Sequence, residues 1–100
     1  MIKHVVMWKL NEEADGNGKS ENRELARESL LGLKPIISQI NTLEVGVNVN
    51  PTDAAFDLIL LTTHNDGEAL STYINHPAHK EVAAFIGKVV AERKVVDFEY

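Results

Sequence analysis

The clearest strand pattern in the chain is Leu43-Glu44-Val45-Gly46-Val47-Asn48-Val49, in which apolar residues alternate with polar residues and a glycine. Alternation with period two indicates a β-strand that buries one face. The next segment, Asn50-Pro51-Thr52-Asp53, predicts a turn. The apolar run over residues 55–63 then predicts a second, buried strand. The centre of the chain is therefore predicted to be two strands joined by a turn.

The N-terminal half adds a strand and a helix. Residues 2–10 alternate and predict the first strand. After Ser20, a predicted N-cap, apolar residues recur at helical spacing. Pro35 would remove a hydrogen bond from the interior of a helix. The helix is therefore predicted over residues 20–34, followed by a separate turn at 35–40.

The C-terminal half repeats this order. Asn65 and Glu68 resemble a capping box that starts a short helix, and Pro77 suits the first turn of the next one. Residues 94–100 alternate and predict the last strand. The chain, residues 1–100, is thus predicted to be a single α+β domain. It would be a ferredoxin-like βαββαβ protomer, whose antiparallel four-stranded sheet carries both helical regions on one face.

The other face of this sheet is predicted to be apolar as well. Val6 and Trp8 point to one side of the first strand, and Val5 and Met7 point to the other. An open apolar face of this size is rare on a monomer. A second copy packed sheet against sheet would cover it. The chain is therefore predicted to form a homodimer, a dimeric α/β barrel that encloses a central chamber.

Composition argues against several classes of partner. The chain has no cysteine and a formal net charge of −5. No disulfide framework, thiol catalysis or cysteine-type zinc site is expected, and nucleic acid is a poor partner because it needs clustered Lys and Arg. No apolar run approaches the ~20 residues of a membrane helix. With no secretory signal and no phosphate-binding loop, a cytoplasmic protein without a cofactor is expected.

The candidate catalytic residues lie in Tyr73-Ile74-Asn75-His76-Pro77-Ala78-His79. Imidazole titrates near neutral pH, so His79 is a candidate general base. A phenol can donate a hydrogen bond to a carbonyl that becomes an enolate, which makes Tyr73 a candidate for that role. Structural roles remain open. His79 would then steady the start of a helix, and Tyr73 would be a core residue with its hydroxyl at the surface.

Further residues are predicted to bind a ligand in the same place. His4 lies on the strand face of Trp8 and would need a buried partner. Asp57, by strand parity, could orient either His4 or His79, although it could also be a solvated strand end. The complete predicted ligand-binding set is His4, Val6, Trp8, Asp57, Ile59, His76 and Ile86.

The remaining histidines are assigned structural roles. His76 is predicted to cap the helix that begins at Pro77. His76 and His79 are three residues apart, but no Cys or nearby Glu completes a metal set, so no metal is predicted. His64, near the end of the third strand, is predicted to be solvated.

Four segments of the chain resemble the stress-responsive dimeric α/β-barrel (Dabb) family. They are Lys3-His4-Val5-Val6-Met7-Trp8-Lys9-Leu10, Leu43-Glu44-Val45-Gly46-Val47-Asn48, the segment 73–79 quoted above, and Val95-Val96-Asp97-Phe98-Glu99-Tyr100. The resemblance covers almost the whole chain and implies a ferredoxin-like protomer and a homodimer with a central barrel. Many members have no assigned activity.

One plant member of that family is a polyketide cyclase. Its catalytic tyrosine and the second histidine of its His-Pro-Ala-His motif fall on Tyr73 and His79, and its first-strand histidine falls on His4. A third-strand histidine of the cyclase corresponds to Asp57 here. The loop at 15–19 and the first helix also differ in their bulky residues, so the resemblance does not carry the substrate over.

Three functions follow as hypotheses. The favoured one is a stress-responsive barrel protein whose central cavity binds a small apolar or aromatic molecule. The second is a cofactor-independent enzyme, either polyketide cyclase/lyase-like or monooxygenase-like, with His79 as base and Tyr73 polarising a carbonyl. The third is a purely structural dimer module. A pocket between Tyr73, His79 and His4 would favour the first two over the third.

Overall fold

The computed structural model describes all 100 residues and confirms the ferredoxin-like α+β protomer. In chain order the elements are β1 (Ile2–Leu10), β2 (Glu13–Ala14), β3 (Asn17–Gly18), α1 (Lys19–Leu31), β4 (Thr42–Val47), β5 (Leu58–His64), α2 (Gly67–Asn75), α3 (Pro77–Val89) and β6 (Val90–Glu99). The main sheet is antiparallel, with strand order β4-β5-β1-β6. The small β2–β3 hairpin lies between β1 and α1. None of the helices has the length and apolarity to cross a bilayer.

The first helix is shorter than predicted. It ends at Leu31 because Gly32 forms the C-cap, where its N–H bonds the carbonyl of Glu28. Pro35 lies in the turn that follows the helix, as predicted. The predicted N-cap is also wrong. Gly18 occupies that position without a side-chain hydrogen bond, and Ser20 lies inside the first turn.

The second helical region consists of two helices with separate caps. Asp66, rather than the predicted Asn65, caps α2, since its carboxylate accepts the N–H of Ala69 at 2.8 Å. His76 caps α3 as predicted, with Nδ1 accepting the N–H of Ala78 at 3.0 Å. These caps satisfy backbone donors that a helix start leaves free. The last strand begins directly at the end of α3, four residues earlier than predicted.

The two faces of the sheet have different surroundings. Alternate residues of β1 and β5 face the helices and are buried there: His4, Val6, Trp8, Leu10, Leu58, Leu60, Thr62 and His64. Apolar residues of the opposite parity form what we call the open face: Val5, Met7, Ile59, Leu61, Val96 and Phe98. No helix of the chain covers the open face, and Val96 is 61% exposed on it.

Candidate functional site

A cavity of about 230 Å³ lies between α3 and the helix-covered face of the sheet. Its apolar wall is formed by Val6, Trp8, Leu30, Leu60, Val82, Ala83, Ile86 and Val90. Its polar wall groups are His4, His79 and Arg93. The cavity lies within one chain, on the opposite side of the sheet from the predicted central chamber. The reason is that His4, Val6 and Trp8 point towards the helices rather than towards the open face.

His4 is held by a carboxylate from the neighbouring strand. The β1–β6 register places His4 opposite Asp97, and its Nδ1 donates to Oδ1 of Asp97 at 2.5 Å. The imidazole is 3% exposed, whereas the Asp97 side chain is 41% exposed. Since the carboxylate can only accept, the Nδ1 of His4 carries the proton. Its Nε2 makes no hydrogen bond within the chain, and the ring lines the cavity.

Asp57 does not pair with either histidine, so that prediction is wrong. Its carboxylate accepts the N–H of Leu10 at 2.8 Å and lies 3.4 Å from Nζ of Lys19. It therefore fixes the end of β1 beside the start of α1. Register explains the separation, because His4 lies opposite Thr62, five residues further along the chain than Asp57.

Tyr73 lies behind the cavity wall, in contact with the histidines. Its ring centroid is 4.7 Å from that of His79, 5.0 Å from that of His64 and 6.0 Å from that of His4. The residue is fully buried, so its hydroxyl is not at the surface. Neither Oη of Tyr73 nor Nδ1 of His79 makes a hydrogen bond of normal geometry, although the carbonyl of Ile74 lies near enough to the His79 imidazole to act on its pKa. An unpaired buried polar atom costs about 1–3 kcal/mol, so two adjacent ones need an explanation.

His64 is completely buried, and the prediction that it is solvated is wrong. Its parity on β5 turns it towards the helices, and the segment before β4 folds over it. Nδ1 donates to the carbonyl of Gln39 at 2.8 Å, and Nε2 accepts from the hydroxyl of Thr62 at 2.8 Å. Both ring nitrogens are therefore satisfied, which leaves His64 a structural residue.

Burial sets the protonation states of His79 and Tyr73. It lowers the pKa of His79, and the charged forms of His4 and Arg93 act in the same direction, while the carbonyl of Ile74 opposes them. Burial also raises the pKa of Tyr73 to about 12. At neutral pH, His79 is therefore an unprotonated base, and it lies against a phenol that retains its proton.

The free energy of unfolding is expected to fall as the pH drops below about 6.5, the ordinary histidine value. Burial lowers the pKa of both His64 and His79 in the folded chain. The unfolded chain therefore takes up protons that the folded chain does not, and stability rises with pH in this window. Each histidine contributes a slope of up to ~1.4 kcal/mol per pH unit. Urea unfolding between pH 5 and 8 measures how the free energy of unfolding depends on pH. The slope should decrease in His79→Gln, and a flat wild-type profile would contradict the assignment.

The structure brings together most of the predicted site. His4, Val6, Trp8, His79 and Ile86 line the cavity, and Tyr73 lies behind it. Three predicted residues do not line it. Asp57 lies beside the end of β1, Ile59 lies on the open face, and His76 caps α3. No three metal-ligating side chains converge anywhere in the chain.

Two residues of the site were not predicted. Asp97 was not singled out within its strand. Arg93 comes one residue before the last strand that alternation predicts, residues 94–100. Both occupy the helix side of β6, where Arg93 faces Trp8 and Asp97 faces His4. Pairing the last strand with β1 would have placed both residues on the face of His4 and Trp8. That step requires the β1–β6 register, which the alternation within one strand does not give.

These features define a class: a ferredoxin-like protomer with an apolar sheet face left open and a cavity under its third helix. The family model described as "Stress responsive A/B Barrel Domain" matches residues 2–100. The chain therefore belongs to the Dabb family, as its sequence segments indicated. It is also 33% identical over 101 residues to the uncharacterized protein SCO4036 of Streptomyces coelicolor, with full coverage of both chains.

Solved structures share the architecture. A dimeric protein of unknown function from Bacteroides fragilis, with a ferredoxin-like fold, is 26% identical and superposes with a TM-score of 0.83 over 99% of this chain and 95% of its own. The hydroxynitrile lyase of Passiflora edulis superposes with a TM-score of 0.81 over 97% of this chain and 90% of its own, at 12% identity. At that identity the lyase is evidence for a shared fold alone.

Proposed function

We propose that the cavity binds a small, largely apolar carbonyl compound and that His79 and Tyr73 exchange a proton with it. The observation that carries this proposal is the pair of buried atoms without partners, Oη of Tyr73 and Nδ1 of His79, beside an apolar cavity. A ligand carbonyl with a neighbouring C–H offers the acceptor and the donor that the chain does not supply.

The proposed reaction is an acid–base cycle without a redox step. His79 takes a proton from the carbon next to the carbonyl, the C–H electron pair forms a C=C bond, and the π pair of the carbonyl moves to its oxygen. The resulting enolate accepts a hydrogen bond from the phenol of Tyr73, whose Oη lies buried behind the cavity wall and turns towards the ligand when it binds. The phenol keeps its proton because burial raises its pKa to about 12. Return of the proton from the imidazolium regenerates the carbonyl. His4, oriented by Asp97, presents Nε2 as a second polar group.

Binding without turnover is the second candidate function. It is supported by the apolar character of the cavity, since 8 of its 12 lining residues are hydrophobic. A purely structural module is less well supported, because dry packing would leave no such cavity and would satisfy its buried polar groups. Proton exchange measured beside binding separates the two candidates, because a passive binder would hold the compound and leave its C–H bonds unchanged.

We also infer that two copies associate through the open face. Its apolar side chains come from the central strands and from the edge strand β6, where Val96 and Phe98 are largely exposed in the single chain. Covering an apolar face of this kind is favourable at about 25 cal/mol per Å². The Bacteroides fragilis protein of the same fold is dimeric, which supports the inference. The cavity lies on the other side of the sheet and would remain accessible in such a dimer.

Gly87 provides the test of ligand binding. It lines the cavity from α3, and a Cβ added there meets no atom within 4 Å. Gly87→Leu is therefore expected to fill the cavity and to fold, since glycine in a helix interior is about 0.5–1 kcal/mol less favourable than alanine. Acetophenone should saturably change the fluorescence of Trp8, the only tryptophan, which lines the cavity.

The matched control is Gly87→Ala, which gains the same helical preference and leaves most of the cavity free. Acetophenone should bind Gly87→Ala like the wild type and lose at least ~10-fold in affinity for Gly87→Leu, as expected when a ligand-sized volume is occupied. If Gly87→Leu and the wild type bound acetophenone with equal affinity, the cavity would not be its binding site.

A further inference from the structure

Arg93 carries the permanent positive charge on the cavity wall. It lies on β6 opposite Trp8, on the helix side of the sheet, and is exposed at the cavity. Its guanidinium forms no ion pair, since the ion pairs of the chain involve His4, Lys19 and Arg27. It also makes no side-chain hydrogen bond. The five N–H donors of its guanidinium are therefore available to a ligand at the wall of an apolar cavity.

The acidic groups of the chain do not neutralise this charge. The cavity wall contains no carboxylate. Asp97 lies on the same face of β6, but it is four residues, or about 13 Å, along the strand and is engaged by His4. Lys94 alternates to the open face, opposite Met7. A chain with a net charge of −5 thus presents a positive group at its cavity.

We propose that the ligand of this cavity is a carboxylic acid, whose carboxylate pairs with Arg93 while its carbonyl lies beside His79. The planar guanidinium matches a carboxylate in a bidentate pair. The apolar wall of the cavity, which includes Val6 and Ile86, accommodates an aliphatic or aromatic body. This inference rests on the proposed function of the cavity, and it narrows the substrate class to keto acids.

Two isosteric probes test the charge alone. One is 4-acetylbenzoate, with a ketone and a carboxylate at opposite ends of a ring, and the other is the neutral 4-acetylbenzamide. The wild type should bind the acid at least ~10-fold more tightly, as hydrogen bonds to a charged group allow. Arg93→Gln should remove that preference and leave the affinity for the amide within about twofold, because the apolar contacts are unchanged.

Lys94→Gln is the matched control, because it removes the same charge from the adjacent residue on the other face of the sheet. It should alter neither affinity. If the amide binds and Arg93→Gln weakens the acid no more than Lys94→Gln does, the inference is overturned while the cavity remains a ligand site. If neither probe binds the wild type at millimolar concentration, the proposed function fails with it. A wild type that binds both probes equally would also contradict the inference that the ligand is a carboxylic acid.

Discussion

Replacing His79 by glutamine is expected to slow deuterium exchange at the methyl group of bound acetophenone by ~10²–10⁴-fold, the usual contribution of a positioned base. Glutamine keeps a polar side chain of similar length but cannot take a proton at neutral pH. In the wild type, burial lowers the pKa of His79, so the imidazole is ready to accept one. The measurement is the decay of the methyl signal in D₂O by proton NMR at a fixed protein concentration.

Two further variants make this result specific. His76→Gln removes an imidazole three residues away that caps α3 and does not line the cavity, so exchange should persist in the folded fraction. Tyr73→Phe keeps the buried ring and removes the hydroxyl, and it should slow exchange because the enolate loses its hydrogen bond. An exchange rate in His79→Gln equal to that of the wild type would eliminate His79 as the base.

Replacing Val96 by aspartate is expected to convert a dimer into a monomer. Val96 is 61% exposed in the single chain, so the protomer tolerates a charge there, but pairing of two open faces would bury it. An unpaired carboxylate taken out of water costs several kcal/mol, and a two-fold dimer buries it twice. The dissociation constant should rise by at least ~10³-fold, as ~4 kcal/mol requires.

The neighbouring valine supplies the control for this experiment. Val95 is 45% exposed but alternates to the helix side, opposite Val6, so Val95→Asp should remain dimeric. Analytical ultracentrifugation at micromolar concentration distinguishes the states. A Val96→Asp protein that sediments as a dimer, or a wild type that sediments as a monomer, would contradict association through the open face.

Local periodicity was sufficient to predict most of the fold. Alternation in β1 separated the face of His4, Val6 and Trp8 from that of Val5 and Met7, and the structure retains this division. Periodicity could not say which face the helices cover, because that depends on the handedness of the connections. The cavity was therefore expected between two copies, whereas it lies under α3.

The site residues that were missed depend on contacts between distant parts of the chain. Asp97 reaches His4 across 93 residues of sequence, through a strand register that parity within one strand cannot supply. The burial of His64 depends on the segment containing Gln39, whose carbonyl accepts its proton. Arg93 was placed outside a strand because β6 continues directly from α3, without the turn residues that usually mark a strand start.

The proposed roles of His79, Tyr73 and Arg93 all require that a carbonyl compound binds in the cavity under α3. Intermolecular nuclear Overhauser effects between acetophenone and the methyl groups of the protein test this most directly. We expect cross-peaks to Val82 and Ile86, whose side chains line the cavity. Cross-peaks confined to Met7 and Ile59, on the other side of the sheet, or none at saturating acetophenone, would contradict it.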